Sequence, residues 1–274
     1  MPRFTTSDGL SLYYTDEGDG LPILCLPGLT RTTADFDYVT PHLAGHRIIK
    51  MDYRGRGQSD FDENWQNYAL PVECCDVLEL MAHLGVAQVA ILGTSRGGMN
   101  AMALASTFRD KLLGVALNDV GPVLDPKGIG IIMTYLGRNP EAKTHSEAAA
   151  ALQYVFPEFK DVPPERWLRE AEKNFIQTED GLQITYDPKL RDAVEASLTE
   201  DTPDLWPLFD ALEGLPLALI QGANSSLLKD DTVAEMQRRR PDMILGKVPA
   251  RGHVPFLDEP EAITALHTWI GQMT

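Results

Sequence analysis

At 274 residues the chain is long enough for a large core, and its length suits one α/β domain with an insertion better than two independent domains. Its 40 acidic against 24 basic residues leave a net charge of −16, which argues against nucleic-acid backbones and anionic membranes as partners. Cys25, Cys74 and Cys75 make neither a disulfide framework nor a C-x-x-C motif, no apolar run approaches a membrane span, and the first residues lack the apolar stretch of a signal peptide. A cytoplasmic enzyme is therefore the expectation, with little support for a zinc or redox metal site.

The elements follow in order. Phe4–Thr6 and Leu10–Thr15 read as a hairpin around the turn Ser7-Asp8-Gly9. Leu21–Leu26 is a buried strand running into Pro27-Gly28-Leu29-Thr30-Arg31-Thr32, with a short helix from about Ala34. Arg47–Met51 is the next strand and ends at Asp52-Tyr53-Arg54-Gly55-Arg56-Gly57-Gln58-Ser59. Pro71–Leu84 has helical apolar spacing and starts on a proline, which suits a first turn. A strand over Val89–Leu92 stops at Gly93, and a helix-like segment runs from Met99 to Phe108. Leu113–Asn118 is another strand. The βα alternation predicts parallel pairing with right-handed crossovers.

The rhythm breaks after Pro122. Up to about Trp206 there is no buried strand pattern, only Glu- and Ala-rich helical stretches, best over Ala148–Tyr154 and Glu165–Phe175. This predicts a core made of residues 1–121 and 207–274, with a helical cap over 122–206. Alternation resumes with a strand at Pro216–Gln221, a helix at Thr232–Arg240, a strand at Met243–Val248 and a final helix at Glu261–Ile270.

The chemistry gathers at Gly93-Thr94-Ser95-Arg96-Gly97, a G-x-S-x-G set between a strand and a helix. An abrupt strand-to-helix turn strains the residue at its apex and leaves the serine oxygen projecting, and the new helix N-terminus favours developing negative charge. Ser95 is thus the candidate nucleophile, and a serine hydroxyl needs an adjacent base. His253 is that candidate, because it follows the last strand and so shares the C-terminal sheet edge with Ser95. His42, His46, His83, His145 and His267 lie in or beside helical segments and read as surface or core residues. An oxyanion hole needs two N–H donors, for which the backbones of Arg96 and Leu29 are the candidates.

These pieces resemble the α/β-hydrolase fold superfamily along almost the whole chain: Leu-Pro-Gly-Leu-Thr-Arg after the third strand, Asp-Tyr-Arg-Gly-Arg-Gly-Gln-Ser after the fourth, the Ser95 turn and the terminal Gly252-His253. Leu117-Asn118-Asp119-Val120-Gly121-Pro122 is similar to a group of bacterial esterase-like hydrolases. The resemblance implies an eight-stranded, mainly parallel sheet flanked by helices, a cap, and cofactor-independent hydrolysis of an ester-like bond.

One position departs from that family. Its acid usually follows the strand that here is Pro216–Gln221, where this chain has Ser226. Three readings stand. Asp119, at the end of the preceding strand, supplies the acid; or Asp230 or Asp231 reaches back from the next helix; or the acid is lost. Asp119 is the candidate carried forward. Arg96 is unusual beside a nucleophile, and it either selects an acidic substrate group or pairs with an acid such as Asp119 or Asp52. Arg54 and Arg56 read as a turn with salt-bridging side chains, and Arg238-Arg239-Arg240 as a helix end. No phosphate-loop or dinucleotide motif follows a strand. The expected function is hydrolysis of small carboxylic esters or lactones through an acyl-enzyme on Ser95. The alternatives are a C–C hydrolase or acyltransferase using the same serine, and a low-turnover sensing protein. Oligomeric state is left open.

Overall fold

The computed structural model describes residues 2–198 and 203–274. An eight-stranded sheet in the order β1-β2-β4-β3-β5-β6-β9-β10 forms its centre. The strands are β1 (Arg3–Thr5), β2 (Ser11–Glu17), β3 (Pro22–Leu26), β4 (Arg47–Met51), β5 (Val89–Thr94), β6 (Leu112–Asn118), β9 (Leu217–Gly222) and β10 (Ile244–Val248). β2 pairs antiparallel with both β1 and β4, and every later pairing is parallel. The order reverses beside β3: the chain steps from β3 outward to β4, then returns to β5 on the other side. That switch opens a crevice at the C-terminal ends of β3 and β5, where open α/β sheets bind ligands.

Both faces of the central strands are apolar, because helices cover both. Successive side chains alternate between faces. Thus Leu24, Leu26, Ile49 and Ile91 join one core cluster, while Ile23, Cys25, Ile48 and Leu92 join the other. The first cluster takes in Val77, Leu80 and Met81 of α1 (Leu70–His83) and Ala101, Leu104 and Ala105 of α2 (Arg96–Phe108). The second takes in Ala262, Leu266 and Trp269 of α9 (Pro260–Ile270). The short helix expected from Ala34 is a 3-10 turn, Thr33–Phe36, started by the Thr32 side chain.

The described residues between β6 and α7 (Trp206–Asp210) lie outside the large sheet. They hold α3 (Pro126–Tyr135), α4 (His145–Val155), α5 (Pro164–Asn174) and α6 (Leu190–Leu198). α4 and α5 close over a small core of Ala148, Ala149, Trp167, Ala171 and Leu182. This region is not purely helical, as the sequence had led us to expect. β7 (Phe175–Thr178) and β8 (Gly181–Ile184) form a separate antiparallel hairpin. Ile176 is 54% exposed, so this hairpin has no buried apolar run to betray it in sequence. Beyond β9, α8 (Asp230–Arg239) precedes β10.

Candidate active site

Ser95 stands between the end of β5 and the first turn of α2 with φ 49° and ψ −109°, a backbone conformation rare for a residue with a side chain. The flanking glycines make that turn possible. A Cβ at Gly93 would lie 2.6 Å from the Gly97 carbonyl, and one at Gly97 would lie 2.0 Å from the Leu26 carbonyl oxygen. The Ser95 N–H donates to the Asn118 carbonyl at 3.0 Å, which ties the turn to the end of β6.

The residue after Asn118 is Asp119, also at positive φ (53°) and fully buried. Its N–H donates to Ile220 O at 2.7 Å, so the ends of β6 and β9 hold it rigidly. The loop after β10 brings in His253. That loop is fastened to the end of β9 by Ala223 N–H to Val248 O (2.9 Å) and Asn224 N–H to Arg251 O (2.8 Å). The contact is so close that a Cβ at Gly222 would lie 2.3 Å from Gly252 O. From the segment between α4 and α5, Lys160 N–H donates to Ala250 O at 2.9 Å.

The three side chains meet in a line. His253 Nε2 lies 3.0 Å from Ser95 Oγ, and His253 Nδ1 lies 2.7 Å from Asp119 Oδ2. Asp119 Oδ1 accepts the Gly222 N–H at 2.8 Å, and Oδ2 also accepts the Ser225 hydroxyl at 2.6 Å. Ser225 Oγ in turn accepts the N–H groups of Leu227 (3.2 Å) and Leu228 (3.0 Å). The buried carboxylate is therefore well supplied with donors, as a buried charge must be. Sequence reasoning missed Ser225, although a second hydroxyl beside Ser226 was the available signal. The other two candidate acids are occupied elsewhere. Asp230 pairs with Lys247 at 2.8 Å and accepts from Gln221 at 2.8 Å, and Asp231 accepts the Thr232 N–H at 2.7 Å.

The two expected oxyanion donors flank Ser95. Arg96 is the first residue of α2, where N–H groups have no intrahelical partner. Leu29 follows Gly28, at which a Cβ would lie 3.9 Å from Ser95 Cβ. The Arg96 side chain does not pair with Asp119 or Asp52. It donates through Nε to Glu73 Oε2 at 2.7 Å, because Glu73 lies on the buried face of α1 that packs against α2. Glu73 is fully buried and also accepts from Arg56 Nη2 (2.8 Å) and Asn100 Nδ2 (3.1 Å). Arg56 Nε reaches on to the Leu29 carbonyl at 3.0 Å. One carboxylate thus braces the Arg96 side chain and, through Arg56, the Leu29 carbonyl. Burial alone would raise its pKa, but Arg96 and Arg56 outweigh burial and hold it at about 2. Glu73 was missed in the sequence, where its sign was an acid in register with apolar Val77 and Leu80 on α1. Arg54 does form the expected salt-bridged turn, with Asp76 (2.6 Å), Asp62 (2.7 Å) and Asp8 (2.8 Å).

A small cavity of about 50 Å³ adjoins His253, bounded by Asp35, Tyr38, Trp167 and Phe256. Burial pushes the Asp35 carboxyl up to about 6 and raises the Tyr38 phenol. A larger cavity of about 400 Å³ lies among Tyr135, Leu152, Phe156, Phe175 and Tyr186. Among the described residues no helix is long and apolar enough to cross a membrane.

Comparison with known proteins agrees with this architecture. The family model for the α/β hydrolase fold matches residues 22–260. A 3-hydroxybutyrate-oligomer hydrolase of Cupriavidus necator is 37% identical over 250 residues, covering 88% of this chain and 85% of that protein. A 2-(acetamidomethylene)succinate hydrolase of Mesorhizobium japonicum is 23% identical over 254 residues, covering 92% and 88%. The crystal structure of an α/β hydrolase from Novosphingobium aromaticivorans superposes with a TM-score of 0.91 at 37% identity, covering 99% of this chain and 97% of that one. The chain belongs to the α/β-hydrolase fold family, and the relatives named above are hydrolases.

Proposed function

We propose that the protein is a serine hydrolase of carboxylic esters working through an acyl-enzyme on Ser95. The observation that carries this reading is the unbroken line Ser95 Oγ–His253 Nε2 (3.0 Å) and His253 Nδ1–Asp119 Oδ2 (2.7 Å) at the sheet's switch point.

In this mechanism Ser95 Oγ attacks the ester carbonyl while His253 Nε2 takes its proton. Asp119 holds the imidazole in the required tautomer and stabilises its charged form. The N–H groups of Leu29 and Arg96 donate to the oxygen as it gains negative charge. His253 then returns the proton to the departing alkoxide, so an alcohol leaves and the acyl group stays on Ser95. Water attacks that ester, again losing its proton to His253, and the carboxylic acid is released. The segment 122–206 serves as the cap over this site. The chemistry also accommodates lactones, which open by the same steps.

Short esters of 3-hydroxy acids are the favoured substrates within this class. The support is the full-length similarity to the 3-hydroxybutyrate-oligomer hydrolase, together with the apolar cavity beneath the cap. The test uses p-nitrophenyl acetate, which should give a burst of p-nitrophenol equal to the enzyme concentration. Ser95→Ala should abolish both burst and turnover, and undiminished turnover in that variant would sink the proposal.

A further inference from the structure

Arg31 is a cation that the ester mechanism leaves unused, and it stands where the two cavities meet. It lines both the cavity beside His253 and the larger one beneath the cap, together with Leu152, Phe156 and Asn174. Its stem runs past the nucleophile: a Cβ at Gly28 would lie 3.3 Å from Arg31 Cγ and 3.9 Å from Ser95 Cβ. Its guanidinium donates to the neutral Asn174 Oδ1 and pairs with Glu170 at 3.7 Å, and Asp35 and Glu170, which share the smaller cavity with it, both favour its charged form. The side chain keeps 31% of its surface open. In a protein carrying a net charge of −16, an arginine beside the nucleophile with about a third of its side chain open is one place that can hold an anion, alongside its neighbours Asp35 and Glu170.

We infer that Arg31 is a specificity-determining residue that binds a free carboxylate on the ester's alcohol portion, so that the preferred substrates are anionic esters of hydroxy acids. This rests on the serine-hydrolase reading above. In a linear ester of two 3-hydroxy acids the terminal carboxylate lies a short β-hydroxy-acid spacer from the scissile carbonyl, and Arg31 Cγ and Ser95 Cβ both lie within 4 Å of the point where a Cβ at Gly28 would stand. Guanidinium and carboxylate meet as a planar fork with two parallel hydrogen bonds, which fixes the alcohol portion and aims the carbonyl at Ser95. Cleavage then releases the hydroxy acid as its carboxylate, while the acyl portion remains on Ser95 until water removes it.

The test compares three esters: the linear dimer of 3-hydroxybutyrate with its free carboxylate, the same dimer as its methyl ester, and p-nitrophenyl butyrate. Wild-type protein should prefer the free acid to the methyl ester. Arg31→Gln should lower kcat/KM for the free acid by about 100-fold, the order expected when one member of a desolvated charge pair is removed. It should change the other two by less than about threefold, and Arg31→Lys should recover part of the loss. Arg238→Gln, which alters an exposed cation at the end of α8 that lines neither cavity, should leave the preference intact. Equal losses on all three esters in Arg31→Gln would show a merely structural role and overturn the inference. So would a wild-type enzyme indifferent to the carboxylate. If Ser95-dependent turnover of p-nitrophenyl butyrate persists in those cases, the hydrolase reading survives; its absence in wild-type protein removes both.

Discussion

Asp119 Oδ2 lies 2.7 Å from His253 Nδ1, although Asp119 follows β6 and not β9. The family's usual acid position is held by Ser226, and the loop that contains it bends so that Ser225 and the Gly222 N–H donate to Asp119 instead. On the proposed mechanism, Asp119→Asn should lower kcat by at least about a hundredfold and up to about ten-thousandfold, the cost of losing the group that orients the base. Ser226→Asp should leave kcat within about twofold. Steady-state turnover of p-nitrophenyl acetate by the two variants separates the possibilities, since a strong gain in Ser226→Asp beside a small loss in Asp119→Asn would move the acid to position 226.

Ser225 has two tasks that one substitution would expose. Its hydroxyl donates to Asp119 and accepts from the N–H groups of Leu227 and Leu228. Ser225→Ala strips a donor from a buried carboxylate and leaves two amides short of an acceptor. A loss of about 1–3 kcal/mol in urea-unfolding free energy is expected, from unsatisfied buried groups of this kind. A kcat reduced by roughly tenfold should accompany it, since Asp119 then orients His253 less firmly. Ser225→Thr keeps the hydroxyl and should retain most of both. An alanine variant as stable and active as wild type would show that the loop needs no hydroxyl there.

How much of this was legible in sequence depends on how local its cause is. β3, β4, β5 and β6 are short apolar runs ended by glycine or a polar cluster, and sequence places each to within two residues. The Ser95 turn was legible because its glycines answer to atoms a few residues away or on the adjacent strand. The β7–β8 hairpin was not, since half-exposed strands carry no buried run. Glu73 was hidden for another reason. Its partners, Arg56 and Arg96, lie 17 and 23 residues off, and only the packing of α1 against α2 and against the loop after β4 brings the three together. Arg96 therefore read as a residue in search of an acid, and the wrong acids, Asp119 and Asp52, were the ones in view. Position 226 left three readings open for a related reason, and Asp119, the one carried forward, is the carboxylate that lies beside His253 at the end of β6.

Glu73 ties the stability of the fold to pH. Its carboxyl is held at about 2 against an ordinary value of 4.5. A folded-state pKa below the unfolded one means the ionised form is favoured by folding. The stabilisation is therefore complete above about pH 4.5 and drains away as pH falls towards 2. Glu73→Gln leaves Arg56 and Arg96 with an uncompensated positive charge, and removing one member of a buried pair costs about 3–5 kcal/mol. Urea-unfolding free energies should show this gap between wild type and variant at pH 7, narrowing between pH 4.5 and pH 3. A gap of constant size across that range would mean the charge of Glu73 is not its source. The variant should also lose kcat with KM little changed, because Glu73 braces the Arg96 side chain and, through Arg56, the Leu29 carbonyl.

The tight turn makes a complementary prediction about glycine. A methyl group at Gly97 would sit 2.0 Å from the Leu26 carbonyl oxygen, a backbone atom fixed in the β3–β5 ladder. Neither partner can yield without breaking the crevice that holds Ser95, so Gly97→Ala should cost more than about 3 kcal/mol, at the upper end of overpacking penalties. Any folded fraction should also be slow, since relief of the clash shifts α2 and with it the Arg96 N–H. Gly130 is the counterpart: it lies in α3, and a Cβ there meets nothing within 4 Å. Gly130→Ala should stabilise the protein by about 0.5–1 kcal/mol through the lower backbone entropy of alanine in the unfolded chain. That corresponds to a rise of about 2 °C in thermal midpoint, with kcat unchanged. Thermal melts of the two variants would check both at once, and a Gly97→Ala protein melting within a degree of wild type would show that the Ser95 turn has slack this geometry denies it.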